Sequence, residues 1–498
     1  MSKSPVFRFN HATFDFGDGM PVQVDLVAGQ DTKAENTHIT LLMGANGTCK
    51  SRVLSSLVNL LRQAEERINP KERLRGGMFF RPHPSERDLE CLSAAIVRDG
   101  IPVYLFKQGS RSSMTNLPSR VLAIANLVKD RFTFVEWERE KVPFYFYLGV
   151  RQASNLTTTG AMDRLVSDAF LNIIADAGKY ATFTKWVEKL FPDCKLGLAF
   201  ARFSSTQNNR FLANPEEWVE RQAGSMRPPE VVQRLLEQLE GRKSALRRVL
   251  GLIEEFSEKV ERVDLSGSKR SPTRVLQFDR LPTQARENLG EFRHALSLAS
   301  SLRLLSRPSL ILNSGHWLDF MHLSSGEQNL LATGARLIGF AEPGSLIVID
   351  EPEVSLNVAW QQRYIELISD ALKHAAGCHV IIASHSPYLV ADLHAENATV
   401  VVVERRGGKL RFKSHAGQFW GWGSEAILYE VLGLPSASNY HFSRELAAVL
   451  KLIQDGSTDV QPFQEFLKKC EQFDLSADAE PLRLLIEEVW GYYKGLIA

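Results

Sequence analysis

The chain has 498 residues, of which 44% are hydrophobic, and its 59 basic and 58 acidic side chains leave a net charge of +1. This length exceeds one ordinary hydrophobic core, so we expect two or three structural units. The balanced charge excludes a global positive field of the kind that attracts nucleic acid. Any contact with nucleic acid would have to come from a local basic patch.

Cysteine usage and the absence of targeting patterns indicate the compartment. Five cysteines lie far apart and without metal-ligand spacing, which is typical of a reducing environment. The first residues, Met1-Ser2-Lys3-Ser4-Pro5, lack an apolar signal core. No apolar run approaches the roughly 20 residues that a membrane helix needs. We therefore expect a soluble, cytoplasmic protein without membrane contact.

The amino-terminal part leads into a loop of unusual composition. Residues 5–43 alternate short apolar runs with turn-like segments, which predicts a β-meander. The last run, Ile39 to Met43, enters Gly44-Ala45-Asn46-Gly47-Thr48-Cys49-Lys50-Ser51. Glycines followed by a lysine and a serine, between a strand and a helix, are typical of a phosphate-binding loop. Such loops usually have glycine before the lysine, where the backbone bends tightly, and this chain has Cys49 there.

An amphipathic helix is predicted after Ser51, with its amino end directed at the bound phosphates. Residues 92–106 and 131–148 are predicted as strands. Arg151-Gln152 leaves the last of these strands, so Gln152 is a candidate contact for a γ-phosphate or its magnesium, and an ordinary strand end is the alternative. Phe14 and Phe16 can stack on an adenine or pack in a core, and the pattern favours the core.

From Ala153 to about Arg307 the pattern changes to long, charged helical segments, interrupted by Pro228-Pro229 and by residues 266–272. Heptads do not persist, which favours a helical insertion, such as an antiparallel helix pair, over a long coiled coil. Its basic side chains can form a nucleic-acid contact or a solvated face, and the solvated face is favoured. These side chains are Arg242, Lys243, Arg247, Arg248, Lys269, Arg270 and Arg274.

A second polar stretch, Leu323-Ser324-Ser325-Gly326-Glu327-Gln328, opens an apolar helix over residues 329–340. Serine and glycine at a helix amino end offer a hydroxyl, unpaired backbone N–H groups and a positive dipole, which suit an anionic ligand. The same residues can also act only as a helix cap, with Ser324 or Ser325 capping and Glu327 or Gln328 reaching back. The segments that follow favour the ligand site.

Two buried-strand patterns follow, and each ends in polar residues. Ser345 to Ile349 leads to Asp350-Glu351-Pro352-Glu353, and a strand beginning at His379 leads to Ser384-His385. Carboxylates at the carboxyl end of a parallel strand lie beside the phosphate loop in such folds. There Asp350 can hold magnesium and Glu351 can polarise an attacking water. His385 is a candidate γ-phosphate contact, with an ordinary loop histidine as the alternative.

Together these four stretches resemble the ATP-binding-cassette (ABC) ATPases of the soluble branch, which includes the chromosome-maintenance (SMC), break-repair and OLD ATPases. The resemblance covers roughly residues 5–152 and 310–405. It implies an α/β fold, namely an ATPase head with a mixed β-sheet and flanking helices that carries a helical insertion and a helical C-terminal tail. It also implies ATP and Mg²⁺ as cofactors. The ATP would lie between two heads, so the protein would form a homodimer or a higher homo-oligomer.

The resemblance assigns a role to each motif: residues 44–51 are Walker A, Leu323 to Gln328 the signature, Leu346 to Glu351 Walker B, and Ser355-Leu356-Asn357 the D-loop. Ser51 and Asp350 would hold Mg²⁺, and Glu351 and His385 would be catalytic. Asn357 stands where the D-loop usually has aspartate, and Ser325 and Glu327 differ from transporter signatures. The nucleotide contacts implied for one molecule are Gly44, Asn46, Gly47, Thr48, Cys49, Lys50, Ser51 and Gln152, and those for the other are Ser324, Ser325, Gly326 and Glu327.

The domain boundaries follow from the same resemblance. We expect the amino-terminal part of the head in residues 1–152, the helical insertion in 153–309, the carboxyl-terminal part of the head in 310–405 and a helical segment in 406–498. The tail is not expected to carry a nuclease site, because Asp478-Ala479-Glu480 lies between helical patterns rather than after a buried strand. Cys49 is expected to adopt a helix-like backbone, and its thiol is either a tolerated small group, a brake on turnover or a redox-sensitive group.

This architecture is most similar to the stand-alone PtuA-like ATPases of the Septu and retron anti-phage systems, which work with a separate HNH nuclease. The resemblance implies an ATPase that controls a partner nuclease through ATP-dependent head association, with DNA or retron-type nucleic acid as a further partner. One alternative is an SMC-type ATPase of DNA repair or chromosome maintenance. Another is a transporter's nucleotide-binding subunit, which the long separation between Lys50 and Leu323 disfavours.

Overall fold

The computed structural model describes residues 5–16, 20–28, 36–45, 47–68, 90–106, 116–127, 130–135, 143–150, 159–201, 205–223, 243–259, 273–281, 289–302, 304–390, 393, 397–406, 409–416, 440–470 and 480–497. The chain divides into two compact units, Met1–Gly421 and Trp422–Ala498.

The described strands and helices are numbered in chain order. The strands are β1 (Phe7–Asp15), β2 (Val22–Asp25), β3 (His38–Met43), β4 (Glu90–Arg98), β5 (Ile101–Leu105), β6 (Val121–Ala125), β7 (Tyr145–Tyr147), β8 (Lys195–Ala201), β9 (Ser257–Lys259), β10 (Thr273–Gln277), β11 (Ser309–Asn313), β12 (Trp317–Asp319), β13 (Leu346–Asp350), β14 (His379–Ser384), β15 (Ala398–Arg406) and β16 (Lys409–His415). The helices are α1 (Lys50–Ile68), α2 (Thr159–Ile173), α3 (Ala177–Leu190), α4 (Ser205–Ala213), α5 (Pro215–Ala223), α6 (Lys243–Phe256), α7 (Leu289–Ser301), α8 (Ser325–Phe340), α9 (Val358–Ala371), α10 (Tyr440–Gln454), α11 (Gln461–Cys470) and α12 (Glu480–Ile497).

A seven-stranded sheet forms the centre of the first unit, in the order β16-β15-β3-β14-β13-β6-β7. Every neighbouring pair is parallel except β15 and β16, which are antiparallel. The central strands are continuous apolar runs because both of their faces are buried, and all residues of β13 and β14 are buried. The parallel arrangement brings the carboxyl ends of β3, β14, β13 and β6 to one edge of the sheet. The α/β prediction with a mixed sheet and flanking helices is confirmed.

A second, antiparallel sheet has the order β2-β1-β4-β5 and packs with α1 against the central sheet in one apolar core. The predicted meander is only partly formed, because β1 and β2 pair with each other and β3 joins the central sheet instead. Phe14 is fully buried in this core, and the ring of Phe16 stacks on Phe412 at 5.5 Å. Both side chains therefore follow the core interpretation rather than adenine stacking.

The segment predicted as a helical insertion also contains strands. The strands β8, β9 and β10 lie within residues 153–309 and form a five-stranded sheet with β11 and β12, in the order β12-β11-β8-β10-β9. The sequence pattern did not reveal these strands, because three to seven residues are too few to show the alternation of apolar and polar residues that indicates a strand. Residues 121–125 also form a strand that the sequence pattern did not indicate, whereas only Tyr145–Tyr147 of residues 131–148 is a strand.

The second unit consists of α10, α11 and α12 around an apolar cluster of its own, which includes Leu446, Phe463, Leu467 and Val489. The strand β16 precedes this unit and extends the central sheet beyond residue 405. Among the helices that the structure describes, none is long and apolar enough to cross a membrane.

Candidate nucleotide-binding site

The loop between β3 and α1 is shaped by glycines and by an unusual cysteine. A β-carbon on Gly44 would lie 2.4 Å from the carbonyl oxygen of Val403, so only glycine fits there. Gly47 has a φ of 80° and Cys49 a φ of 67°, both in the left-handed region that favours glycine. The expectation of a helix-like backbone at Cys49 is therefore wrong, because the chain turns sharply at this residue before α1 begins. Asn46 lies outside the described residues.

Lys50 is the first residue of α1 and is 5% exposed. Its ammonium donates to the carbonyl oxygens of Gly44 and Ala45 at 2.8 and 3.1 Å, and lies 3.2 Å from the ring nitrogens of His385. Burial lowers the pKa of Lys50 to about 8, although the nearby carboxylates Glu351, Glu353 and Asp350 oppose that shift. The loop thus holds a buried cation at the amino end of a helix, which suits a phosphate group.

Ser51 and Asp350 meet at the sheet edge. The Ser51 hydroxyl donates to Oδ1 of Asp350 at 2.9 Å. Burial raises the pKa of Asp350 to about 7, and the negative charge of Glu351 adds to that shift, while the hydrogen bond from Ser51 opposes it. These two residues are 299 positions apart, and the parallel pairing of β3, β14 and β13 brings them together as predicted from the strand ends.

Glu351 and His385 lie at the same edge. Glu351 has a φ of 49°, which turns the chain immediately after β13, and its backbone N–H donates to the Ala383 carbonyl at 2.9 Å. The imidazole Nε2 of His385 is 3.6 Å from a carboxylate oxygen of Glu351. His385 therefore lies between the Lys50 ammonium and the Glu351 carboxylate. Gln152, the other predicted γ-phosphate contact, lies outside the described residues.

Glu353 is a member of this cluster that the sequence pattern did not single out. Its Oε1 accepts a 2.6 Å hydrogen bond from the backbone N–H of His385, while its Oε2 is buried without a hydrogen-bond partner among the described residues. The only signal in the sequence was a third carboxylate two positions after Glu351, beyond Pro352. Its contact with the His385 backbone could not be read from that spacing.

The predicted signature, Leu323 to Gln328, leads into the amino end of α8, where Ser324 is the capping residue. Ser324 and Glu327 form a capping box, in which the Ser324 hydroxyl accepts from the Glu327 N–H and the Glu327 carboxylate accepts from the Ser324 N–H. Ser324 and Ser325 are exposed. Across the part of the chain that the structure describes, no hydrogen bond or ion pair joins residues 324–327 to residues 44–51. Capping thus explains the fold of this segment and leaves its outer face accessible.

The turn after β13 packs against this helix end. A β-carbon on Gly326 would lie 2.8 Å from the Ser355 carbonyl oxygen, so the close approach requires glycine. Ser355 itself has a φ of 68°. Asn357 caps α9 by accepting from the Trp360 N–H at 3.0 Å. The asparagine that departs from the usual D-loop pattern therefore has a local structural role that aspartate could also fill.

The donor set fits a magnesium–nucleotide complex. Magnesium prefers oxygen ligands and is often held by one or two protein groups together with substrate phosphates. Ser51 and Asp350 offer two such oxygens 2.9 Å apart, and Lys50 with the α1 amino end offers positive charge for phosphates. Within the described residues, no group of three or more His, Cys, Asp or Glu side chains is arranged to hold a metal ion by itself.

Comparison with known proteins gives a match to one family model over part of the chain. Residues 199–391 match the family model described as "AAA domain, putative AbiEii toxin, Type IV TA system". The matched segment contains the predicted signature and three residues of the site, namely Asp350, Glu351 and His385. It begins after the 44–51 loop, so that loop lies outside the match. No curated protein matches the sequence.

Among solved structures, the Smc head domain of Pyrococcus furiosus with an extended coiled coil, bound to the C-terminal domain of ScpA, aligns with a TM-score of 0.31 at 12% identity, over 82% of this chain and 96% of that chain. The SMC head domain of Thermotoga maritima aligns with a TM-score of 0.28 at 11% identity, over 82% and 99% of the two chains. An inward-facing metal-chelate-type ABC transporter gives a TM-score of 0.27 at 11% identity, over 87% and 90%. The family match covers less than half of the chain, and the part it covers includes Asp350, Glu351 and His385 at the edge of the parallel sheet.

Proposed function

We propose that the protein binds and hydrolyses ATP with Mg²⁺, and that two copies share each nucleotide. The observation that carries this proposal is the convergence of Lys50, Ser51, Asp350, Glu351 and His385 at one edge of a parallel sheet. Bound ATP would supply the phosphoanhydride bond, and Mg²⁺ would offset the phosphate charge. Lys50 would bind the phosphates, Ser51 and Asp350 would hold the metal, and Glu351 would orient the water with His385 beside it.

The exposed signature supports a site shared between two molecules. Ser324 and Ser325 are exposed at a helix amino end, and among the described residues no hydrogen bond or ion pair joins them to the phosphate-binding loop of the same chain. A helix amino end stabilises negative charge, so a second copy could place these residues over the terminal phosphate. In that arrangement each copy contributes residues 44–51 to one site and 324–327 to the other.

The biological role that we propose is an ATPase subunit of a bacterial anti-phage system, in which ATP-dependent head association controls a partner nuclease of the HNH type. The AbiEii toxin and toxin–antitoxin system in the description of the matching family support a defence context. The SMC-type alternative predicts long helices in residues 153–309, where the longest described helix is α2 with 15 residues. Nucleic acid is a further proposed partner, as DNA or as a retron-type molecule.

Glu351→Gln is the test of the ATPase proposal. The amide keeps the size of the side chain but cannot act as a carboxylate base, so we expect ATP binding to persist, turnover to fall about 100-fold and a dimer to accumulate with ATP. Phosphate release and light scattering after gel filtration measure the two effects. Normal turnover in this variant would contradict the role of Glu351.

The nuclease proposal has a separate test. The chain is expressed from its native operon with an affinity tag, and the co-purifying proteins are identified by mass spectrometry. We expect a nuclease whose DNA cleavage changes between nucleotide-free and ATP-bound preparations, and whose response is lost in Lys50→Ala. A preparation without a nuclease, or with one that is indifferent to ATP, would refute this role and leave the ATPase proposal standing.

A further inference from the structure

Helix α8 carries one polar stripe through an otherwise apolar interior. All of its residues from Asn329 to Phe340 are buried. Asn329, Thr333 and Arg336 lie four and three positions apart, which places them on one face of the helix. Thr333 donates to Oδ1 of Asn329 at 3.3 Å, and Arg336 donates to the Thr333 hydroxyl at 3.2 Å. The stripe is therefore connected along its length.

Arg336 is fully buried and has only neutral partners. Its Nε donates to the Ala332 carbonyl at 2.9 Å, and its guanidinium donates to the Leu148 carbonyl at 2.8 Å and to Oδ1 of Asn126 at 3.0 Å. Among the described residues, no carboxylate lies within ion-pair distance of it. Burial lowers its pKa to about 10, so the group is still charged at neutral pH. Burying a cation without a counter-ion lowers the stability of the folded state, and leucine or methionine would fill the same space in a core without that loss.

The partners of Arg336 lie at the sheet edge that carries the site. Asn126 follows β6 directly and Leu148 follows β7 directly. In the pairing of β6 with β13, Ala125 is opposite Asp350, so Asn126 is the next residue beyond the metal-binding carboxylate. The fork of the guanidinium thus joins the interior of α8 to two neighbouring strand ends.

The other end of the stripe contacts the turn that carries Glu351. The Asn329 amide donates to the carbonyls of Pro352 and Val354 at 3.2 and 2.7 Å. Asn329 directly follows Gln328, the last residue of the signature. The stripe therefore links the segment proposed to contact a partner's nucleotide with the ends of β6 and β7 and with the turn that follows Asp350.

We propose that Arg336 is a positioning residue that fixes α8 relative to the sheet edge that carries Asp350 and Glu351. Closure of a second head over Ser324 would then also bring Asp350 and Glu351 into their catalytic positions. This inference rests on the proposed ATPase function. Arg336 makes no hydrogen bond to Lys50, Ser51 or any other described residue of the 44–51 loop. Its loss should therefore lower turnover and leave nucleotide binding by that loop intact, whereas a purely structural arginine would affect stability alone.

The test compares Arg336→Met with a matched control in the full chain. Methionine has a similar length and removes the charge and the fork. Arg293 provides the control, because it also donates to an asparagine, Asn172, at 2.6 Å and burial also lowers its pKa, but it lies on α7. We expect kcat of Arg336→Met to fall about tenfold or more while the Kd for ATP stays within about twofold, and both to be unchanged in Arg293→Met. A folded Arg336→Met with wild-type kcat would overturn the proposal.

Asn126→Ala keeps the proposal testable if Arg336→Met does not fold, since it removes only one acceptor from a half-buried position. Hydrogen exchange of the nucleotide-free protein gives a readout that is independent of turnover. We expect amides in residues 143–150 to exchange about fivefold faster in Asn126→Ala and Arg336→Met, and not in Arg293→Met. Unchanged exchange would overturn the link between α8 and the strand ends. A wild-type protein without ATPase activity would instead refute the proposed function, and the exchange experiment would still decide the role of Arg336.

Discussion

The stability of the first unit should depend on pH through one buried histidine. His379, the first residue of β14, is fully buried, and its Nδ1 accepts a hydrogen bond from the Phe9 N–H at 2.9 Å. Its Nε2 is 2.8 Å from the Thr40 hydroxyl, which donates to the Leu26 carbonyl. The neutral imidazole thus joins the two packed sheets, and a second proton would compete with the Phe9 hydrogen bond.

Burial lowers the pKa of His379 well below 6.5, and the neighbouring side chains of His38 and Arg8 add to that shift. Because the folded-state pKa lies below the unfolded-state value, the stabilisation is complete above about pH 6.5 and is lost as the pH falls, when only the unfolded chain takes up the proton. Between pH 7.5 and pH 5 the free energy of unfolding should fall on account of this group, by as much as about 2 kcal/mol, which is the limit that an unfolded-state pKa of about 6.5 sets over this interval.

Chemical denaturation at the two pH values measures this loss. Other groups also titrate over the interval, so the wild type is compared with His379→Gln, whose amide can donate and accept but does not ionise. We expect the variant to be less stable at pH 7.5 and to lose less than the wild type on acidification, by as much as about 2 kcal/mol. An equal loss in the two proteins would refute the assignment of His379 as a buried neutral imidazole.

Two further predictions concern the phosphate-binding loop. Lys50→Ala should lower ATP affinity about 100-fold or more, because a buried ammonium is removed from the phosphate site, and equilibrium binding of a fluorescent ATP analogue checks this; retained affinity would contradict the loop assignment. Cys49→Gly should remove the strain of a left-handed backbone conformation at a non-glycine residue, which costs about 1 kcal/mol. The greater entropy of glycine in the unfolded chain should offset part of this gain in stability. If the strain slows turnover, hydrolysis should become several-fold faster in Cys49→Gly than in Cys49→Ala. If the thiol slows it, both variants should be faster than the wild type, and wild-type rates in both would leave Cys49 as packing alone.

The sequence predicted the site residues that lie at or after the carboxyl ends of predicted strands. Asp350 ends the apolar strand β13, His385 follows β14 directly, and Lys50 and Ser51 follow β3 after the loop of residues 44–49. Parallel strands bring their carboxyl ends together whatever their separation in the chain. Phosphate-binding loops usually have glycine at the position of Cys49, which is consistent with the positive φ observed there. The expectation of a helix-like backbone was wrong because Cys49 is the last residue of the turn, and the helical conformation begins only at the next residue.

What the sequence did not reveal depends on partners from distant segments. Arg336 has no special position in the pattern of α8, and its role follows from Leu148 and Asn126, which are 188 and 210 residues away. Glu353 likewise depends on the backbone of His385. The strands β8 and β10 are single short runs whose neighbours in the sheet come from elsewhere in the chain, so local periodicity could not distinguish them from helical segments.

Mixing two inactive variants tests the shared site most directly. Lys50→Ala removes the phosphate-binding cation, and Ser324→Arg places a bulky charge at the exposed end of α8, so each should be inactive alone. In a mixed dimer, one site would combine an intact Lys50 from one copy with an intact Ser324 from the other. We predict that an equimolar mixture recovers roughly a quarter of wild-type ATPase activity, since half of the dimers are mixed and each has one intact site. Activity no higher than that of the separate variants would contradict a site built from two molecules.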